Sequence, residues 1–280
     1  MKTFVFSIIF VLSIFIACSA QAQLTVYDDF SSSFIDTARW KYFVPQWGDD
    51  VWPFEGGLRI LKGKLSFFSR AYGGDLSNTD TQNMRRQLYL RDVGGISSIE
   101  ASIQIAKKGH EITGCAANPV PSETRISMGG AFFNDGSSPG PGDFTGDIIT
   151  SIGFYKFSDS AIPPGYMGVR ARVQRCTDPT CSLSTIDTIY ETFFDNLLVK
   201  FGKKTMLRIT LDKSTDKFTF QVGKKVSKTY PYTGVIVSDS AAPVMINTRL
   251  EVAHWLANCL TPAPKAVGWA DILVDYVSID

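Results

Sequence analysis

The sequence predicts an all-β fold, an antiparallel β-sandwich. Three observations carry this. Apolar and polar residues alternate with period two in many short runs. Clusters of Gly, Pro, Asn and Asp separate those runs. No stretch long enough for a packed helix shows a continuous helical stripe.

Six runs show the alternation most clearly. Ile99 to Ile105 reads Ile-Glu-Ala-Ser-Ile-Gln-Ile, and Val169 to Arg175 reads Val-Arg-Ala-Arg-Val-Gln-Arg. Met206–Leu211 and Lys217–Val222 form a hairpin pattern around Asp212-Lys213-Ser214-Thr215-Asp216. Met245–Trp255 and Ala270–Ile279 complete the set, within about a dozen strands in all, as a large sandwich requires. Residues 184–198 are the one helical candidate, although their Thr, Ile and Phe content suits a strand equally. Residues 133–150 read as a long exposed loop.

The amino terminus reads as a secretory signal peptide, residues 1–22. Lys2 precedes an apolar run from Phe4 to Ala17, and Ala20-Gln21-Ala22 offers a small-x-small cleavage site. That run is too short to span a bilayer, which takes about 20 residues. A minor alternative makes Cys18 the lipid-bearing residue of a lipoprotein. Residues 23–280 then form one β-sandwich domain, exported as a secreted or periplasmic protein, with no linker or repeat in sight. Charges balance at 28 Lys+Arg against 27 Asp+Glu. Such a surface has no global attraction for nucleic acid or anionic membrane, so neither is an expected partner.

Four cysteines follow the signal, an even number that in an exported chain reads as two disulfides. Three pairings are open. The turn in Cys176-Thr-Asp-Pro-Thr-Cys181 favours Cys176–Cys181 and leaves Cys115–Cys259, both in loop-like surroundings. The spacing is poor for a four-cysteine zinc site, which prefers closely spaced pairs.

The two ends of the chain carry a family pattern. Near the start stand Tyr27-Asp28-Asp29-Phe30, Ile35-Asp-Thr-Ala-Arg-Trp40 and Gly57-Leu58-Arg59-Ile60. The end reads Ala270-Asp-Ile-Leu-Val-Asp-Tyr-Val-Ser-Ile279. Together these resemble the concanavalin A-like lectin/glucanase superfamily, whose jelly-roll sandwich pairs its first and last strands. The resemblance implies that residues 25–30 lie beside residues 271–279. It also implies a structural Ca2+ held by Asp275 of the closing strand, near Asp28 and Asp29. That fold hosts hydrolases, lyases and lectins alike, so it does not choose a function. The glucanases of the superfamily carry Glu-x-Asp-x-Glu or Glu-x-Asp-x-x-Glu on one strand, and this chain has neither. The Arg-x-Glu-x-Arg and Gln-Ile-His strands of the alginate lyases are absent as well.

Strand parity then singles out a polar face. Arg170 and Arg172 oppose Val169, Ala171 and Val173; Arg249, Glu251 and Trp255 oppose Leu250, Val252 and His254. If the two strands are neighbours, these side chains meet across the sheet, with Glu251 pairing an arginine. Guanidinium forks suit uronic or sulfated sugars, although a solvated outer face explains the same alternation. The loop Pro45–Glu55 adds Trp47 and Trp52, which either stack on sugar rings or pack the loop onto the sandwich. His110 and His254 lack a visible catalytic partner and suit packed positions better than general bases.

These readings make a non-catalytic carbohydrate-binding (lectin) or adhesion-type module the leading expectation. Its expected partner is an extracellular polysaccharide, an acidic one by the arginines, at Arg170, Arg172, Arg249, Glu251, Trp255, Trp47 and Trp52. A polysaccharide-degrading enzyme with an unrecognised site, headed by Glu251, Arg249 and His254, is the alternative. A structural envelope protein is the third.

Overall fold

The computed structural model describes residues 23–43, 54–75, 77–91, 96–133, 143–181, 186–212, 214–215, 217–224, 226–231 and 248–280. The expected signal peptide, Trp47 and Trp52 lie outside these. Fifteen strands follow one another among them. The first five are β1 (Thr25–Asp28), β2 (Trp40–Phe43), β3 (Phe54–Ile60), β4 (Leu65–Tyr72) and β5 (Thr81–Leu90). Then come β6 (Ser98–Ile112), β7 (Glu123–Phe133), β8 (Ile148–Phe157), β9 (Tyr166–Cys176) and β10 (Ile186–Lys200). The last are β11 (Lys204–Asp212), β12 (Lys217–Val222), β13 (Val226–Pro231), β14 (Arg249–Ala257) and β15 (Val267–Ile279). The helical candidate at residues 184–198 is therefore strand β10 from Ile186 onward, because it pairs with β9 over most of its length.

The strands form two antiparallel sheets. One runs β13-β12-β11-β6-β15-β4-β3, with β1 added alongside β15. The other runs β10-β9-β8-β7-β14-β5-β2. Period-two patterning aims one face of each sheet at a shared core. Phe67, Ile99, Ile103, Phe218 and Val274 come from the first sheet, and Ile126, Phe154, Val169, Leu250 and Val252 from the second. Each of these ten residues is no more than 1% exposed, so the facing sides have left water.

The chain ends meet as expected. Thr25 pairs with Ile279 and Val26 with Ser278. The opening motif has a structural purpose at this seam. Asp28 accepts hydrogen bonds from the Trp40 indole Nε1 (2.7 Å) and the Phe30 amide (2.8 Å). Trp40 in turn stacks on Phe30 at 5.7 Å between ring centroids. Two facing antiparallel sheets closed by the two chain ends make the all-β sandwich that the sequence predicts.

Both disulfides form as paired by the sequence. Cys115–Cys259 has a Cα–Cα distance of 5.7 Å and Cys176–Cys181 one of 4.9 Å, both within the disulfide range. Cross-links of this kind suit an oxidising, extracytoplasmic compartment. No helix among the described residues is long and apolar enough to cross a membrane.

The condition set for the two arginine strands is not met, and the calcium expectation meets an unfavourable setting. Strands β9 and β14 are not neighbours: β8 and β7 lie between them. The surroundings of Asp275 also do not fit a calcium ion. Its carboxylate oxygens are held by the ammonium groups of Lys64 (2.8 Å) and Lys204 (2.7 Å), and Ser102 donates a further hydrogen bond (3.2 Å). Two cations at a carboxylate satisfy it and repel a third, and no group of three metal-ligating side chains occurs among the described residues. Asp28, across the seam, spends its carboxylate on Trp40 and Phe30.

Candidate functional site

The face of the seven-stranded sheet that points away from the core carries most of the charged side chains singled out by parity. Register fixes their arrangement in two rows. Arg172 stands opposite Ser151, Ser151 opposite Gly129, Gly129 opposite Arg249, and Arg249 opposite Tyr89. One row along, Arg170, Gly153, Ser127, Glu251 and Gln87 succeed one another in the same way.

The separation of β9 from β14 gives these rows a shape. Arginines rise at both sides, and small residues lie between them. Neighbouring strands are ~4.8 Å apart, so the backbones of Arg172 and Arg249 stand ~14 Å from each other. The floor is Ser127 and Gly129 of β7 with Ser151 and Gly153 of β8. Both glycines are dictated by close strand approach. A Cβ at Gly153 would come within 2.2 Å of the Ile126 carbonyl oxygen, and one at Gly129 within 2.3 Å of that of Thr150. The result is a strip of small residues two strands wide, in which Ser127, Gly129 and Gly153 are covered by the longer side chains around them and a shallow groove remains on the β9 side. Its depression is lined by Arg125, Ser127, Ser151, Gly153, Tyr155, Arg170 and Arg172.

Its charges are tightly cross-connected. Glu123 accepts two hydrogen bonds from Arg125 (3.3 and 2.9 Å) and one from Arg170. Glu191 of the edge strand β10 pairs with Arg172 and, at 3.5 Å, with Arg170. Glu251 accepts from Gln87 and lies 3.5 Å from the Arg249 Nε, while Tyr89 donates to Gln87 (2.9 Å). Trp255 lies under Arg125, 4.0 Å from ring centroid to guanidinium carbon. The expected pairing of Glu251 with an arginine is present, but Arg170 and Glu251 are buried, not open to solvent. Five arginines (Arg85, Arg125, Arg170, Arg172 and Arg249) face three glutamates here, an excess of positive charge on an otherwise balanced chain.

Burial and neighbours set the protonation states. Burial by itself would push the Glu123 carboxyl up, but Arg125 and Arg170 more than offset it and hold the group below the ordinary carboxylate value. Glu251 is held low in the same way, burial being overcome by Arg249 and Arg85. Burial, with Arg125 adding to it, lowers Arg170 to about 10, still protonated at neutral pH. Both buried glutamates are therefore fixed anions.

Neither of these two carboxyls is raised toward the value of a catalytic acid. A glycosidase acid needs a raised pKa, and a retaining pair needs its carboxyls ~5–5.5 Å apart. Glu251 stands opposite Ser127, four residues along β7 from Glu123, a backbone separation of about 13 Å along the strand. The histidines give no substitute. His254 points to the core, fully buried, with its ring nitrogens against Thr124 Oγ1 (3.0 Å) and the Ser69 carbonyl (3.2 Å); burial pushes it down to about 4. Burial, followed by Lys156 and His254, pushes His110 down to about 3. Both rings are neutral at physiological pH.

All five described residues expected at the site share this face. Sequence reasoning missed Glu123, Arg125 and the small-residue floor, and also Arg85, Gln87 and Tyr89 of β5. The signal was present: Glu123-x-Arg125-x-Ser127 and Asn83-x-Arg85-x-Gln87-x-Tyr89 show the same polar alternation.

No protein-family model matches the sequence, and no curated protein does either. Solved structures are similar in fold. The catalytic domain of an endo-1,3-β-glucanase (laminarinase) from Thermotoga petrophila is 10% identical with a TM-score of 0.47, over 92% of this chain and 97% of that one. A laminarinase from Flavobacterium is 14% identical at 0.46, over 90% and 97%. A legume lectin-like domain from Entamoeba histolytica is 12% identical at 0.34, over 80% and 88%. Glucanases and a lectin-like domain stand side by side here, so the likeness concerns fold alone.

Proposed function

We propose that this chain is a non-catalytic carbohydrate-binding module that takes an acidic polysaccharide in the groove between Arg170/Arg172 and Arg249. One observation carries the reading: guanidinium groups stand on both sides of a Gly/Ser floor, and the two buried carboxylates among them, Glu123 and Glu251, are held as anions. Planar guanidinium forks match uronate carboxylates and sulfate esters. The two buried glutamates, Glu123 and Glu251, stand as anions paired with arginine, which supports a binding role.

The test is a binding titration with dextran sulfate, polygalacturonate and neutral dextran. Wild-type protein binds the two polyanions weakly and more weakly still with added salt, because partly exposed charges are screened over ~8–10 Å. The double variant Arg172→Ala/Arg249→Ala loses that binding while keeping its β-sheet circular dichroism. Equal binding by the double variant, or release of reducing ends from either polyanion by the wild type, would overturn the proposal.

A further inference from the structure

We infer that the Arg170–Arg172 pair is the anion-binding point of the groove and that Glu191 is its tethered occupant, a carboxylate which the ligand's own anion replaces. The inference rests on the proposed function and names the residue that sets its affinity.

The three glutamates of the network differ in placement. Glu123 and Glu251 lie on inner strands with side chains only 9% exposed. Glu191 lies on the edge strand β10, directly opposite Arg172, and its side chain is 30% exposed. A single oxygen, Oε1, meets the Nε of Arg172 and lies 3.5 Å from the Nε of Arg170. Two guanidinium groups converging on one anionic oxygen form an anion site, and the present occupant is chemically a carboxylate like that of a uronic acid. Arg170 is positioned from behind by Glu123, and by the rings of Tyr155 (5.1 Å) and Phe193 (5.8 Å). That arginine therefore stays in place when Glu191 leaves. Arg172 lines the depression directly.

An internal carboxylate at such a site competes with an incoming anion and repels it. Glu123, by contrast, is a positioning residue, too enclosed to be displaced. The two roles predict opposite results for the conservative substitution. Glu191→Gln keeps an acceptor oxygen for Arg172 and removes only the charge.

The experiment compares wild type and Glu191→Gln on dextran sulfate, polygalacturonate and neutral dextran. The variant is expected to bind one or both polyanions roughly two- to fivefold more tightly, the ratio set by losing one partly exposed ion pair. A gain with dextran sulfate alone assigns a sulfate ester to the site, and one with polygalacturonate alone a uronate. Unchanged or weaker polyanion binding by the variant, with the wild type binding, overturns the inference and leaves the groove reading standing. An equal gain on neutral dextran also overturns it. Absence of polyanion binding in both proteins removes the groove reading and the inference together. Should the variant not fold, carbon-13 NMR of the wild type decides: the Glu191 carboxyl resonance shifts as dextran sulfate binds, and a resonance unmoved at saturation refutes displacement.

Discussion

The guanidinium carbon of Arg125 lies over Trp255, 4.0 Å from its ring centroid, while its nitrogens hold Glu123. One arginine on β7 thereby joins the aromatic of β14 to the buried carboxylate of its own strand. Trp255 is thus occupied on one face by a cation. A double-mutant cycle of Arg125→Ala and Trp255→Ala, read by urea unfolding, is expected to give a coupling of about 0.5–2 kcal/mol. A coupling below a few tenths would mean that the two side chains touch without stabilising each other.

The two disulfides should differ in weight. Cys115 and Cys259 are separated by 144 positions, Cys176 and Cys181 by 5. Loop-closure entropy then gives about 5 kcal/mol for the long bridge and about 2 kcal/mol for the short one. Denaturant unfolding of Cys115→Ala/Cys259→Ala against Cys176→Ala/Cys181→Ala ranks them. A larger loss from the short bridge would contradict the ranking.

Acid should weaken the protein before its carboxylates protonate. His254 is held neutral in the core, with a folded pKa of about 4 against the 6.5 of an exposed ring. The unfolded chain takes up that proton first. Stability is therefore full above pH 6.5 and falls as the pH drops toward 4, with a slope approaching about 1.4 kcal/mol per pH unit for one histidine. His110, at about 3, adds to the same descent. The carboxylates of Glu123 and Glu251, held low, give up their share only below the ordinary range near 4.5. Guanidinium unfolding at pH 7, 6 and 5 measures this, and His254→Gln should flatten the curve. A flat wild-type profile over that range would rule the histidines out.

Calcium should not stabilise the chain through Asp275. Its carboxylate is already neutralised by Lys64 and Lys204. The melting temperature in EDTA and in millimolar Ca2+ is expected to coincide. An ion present at a hundred times its Kd would add about 2.7 kcal/mol, a shift of several degrees that could not be overlooked.

The features legible in the residues alone are those that depend on nearest neighbours. Alternation placed Arg170 and Arg172 opposite Val169 and Val173, and Arg249 and Glu251 opposite Leu250 and Val252, because successive side chains on a strand must point to opposite faces. The same local reasoning found the strands β9, β11, β12 and β15 and the turn inside Cys176–Cys181, and the chain-end motifs found the seam between β1 and β15. Residues 184–198 stayed ambiguous because β-branched and aromatic side chains suit a strand only once a partner is present, and β9 is that partner. Only the tertiary structure decided which strands stand side by side. Strand order is a matter of pairing between segments far apart in the chain, and no local pattern records it. That order put β8 and β7 between the two arginine-bearing strands and so turned an expected direct contact into two walls with a Gly/Ser floor. It also brought Lys64 and Lys204 to Asp275 from distant strands, where two ammonium groups occupy the place expected for a metal ion.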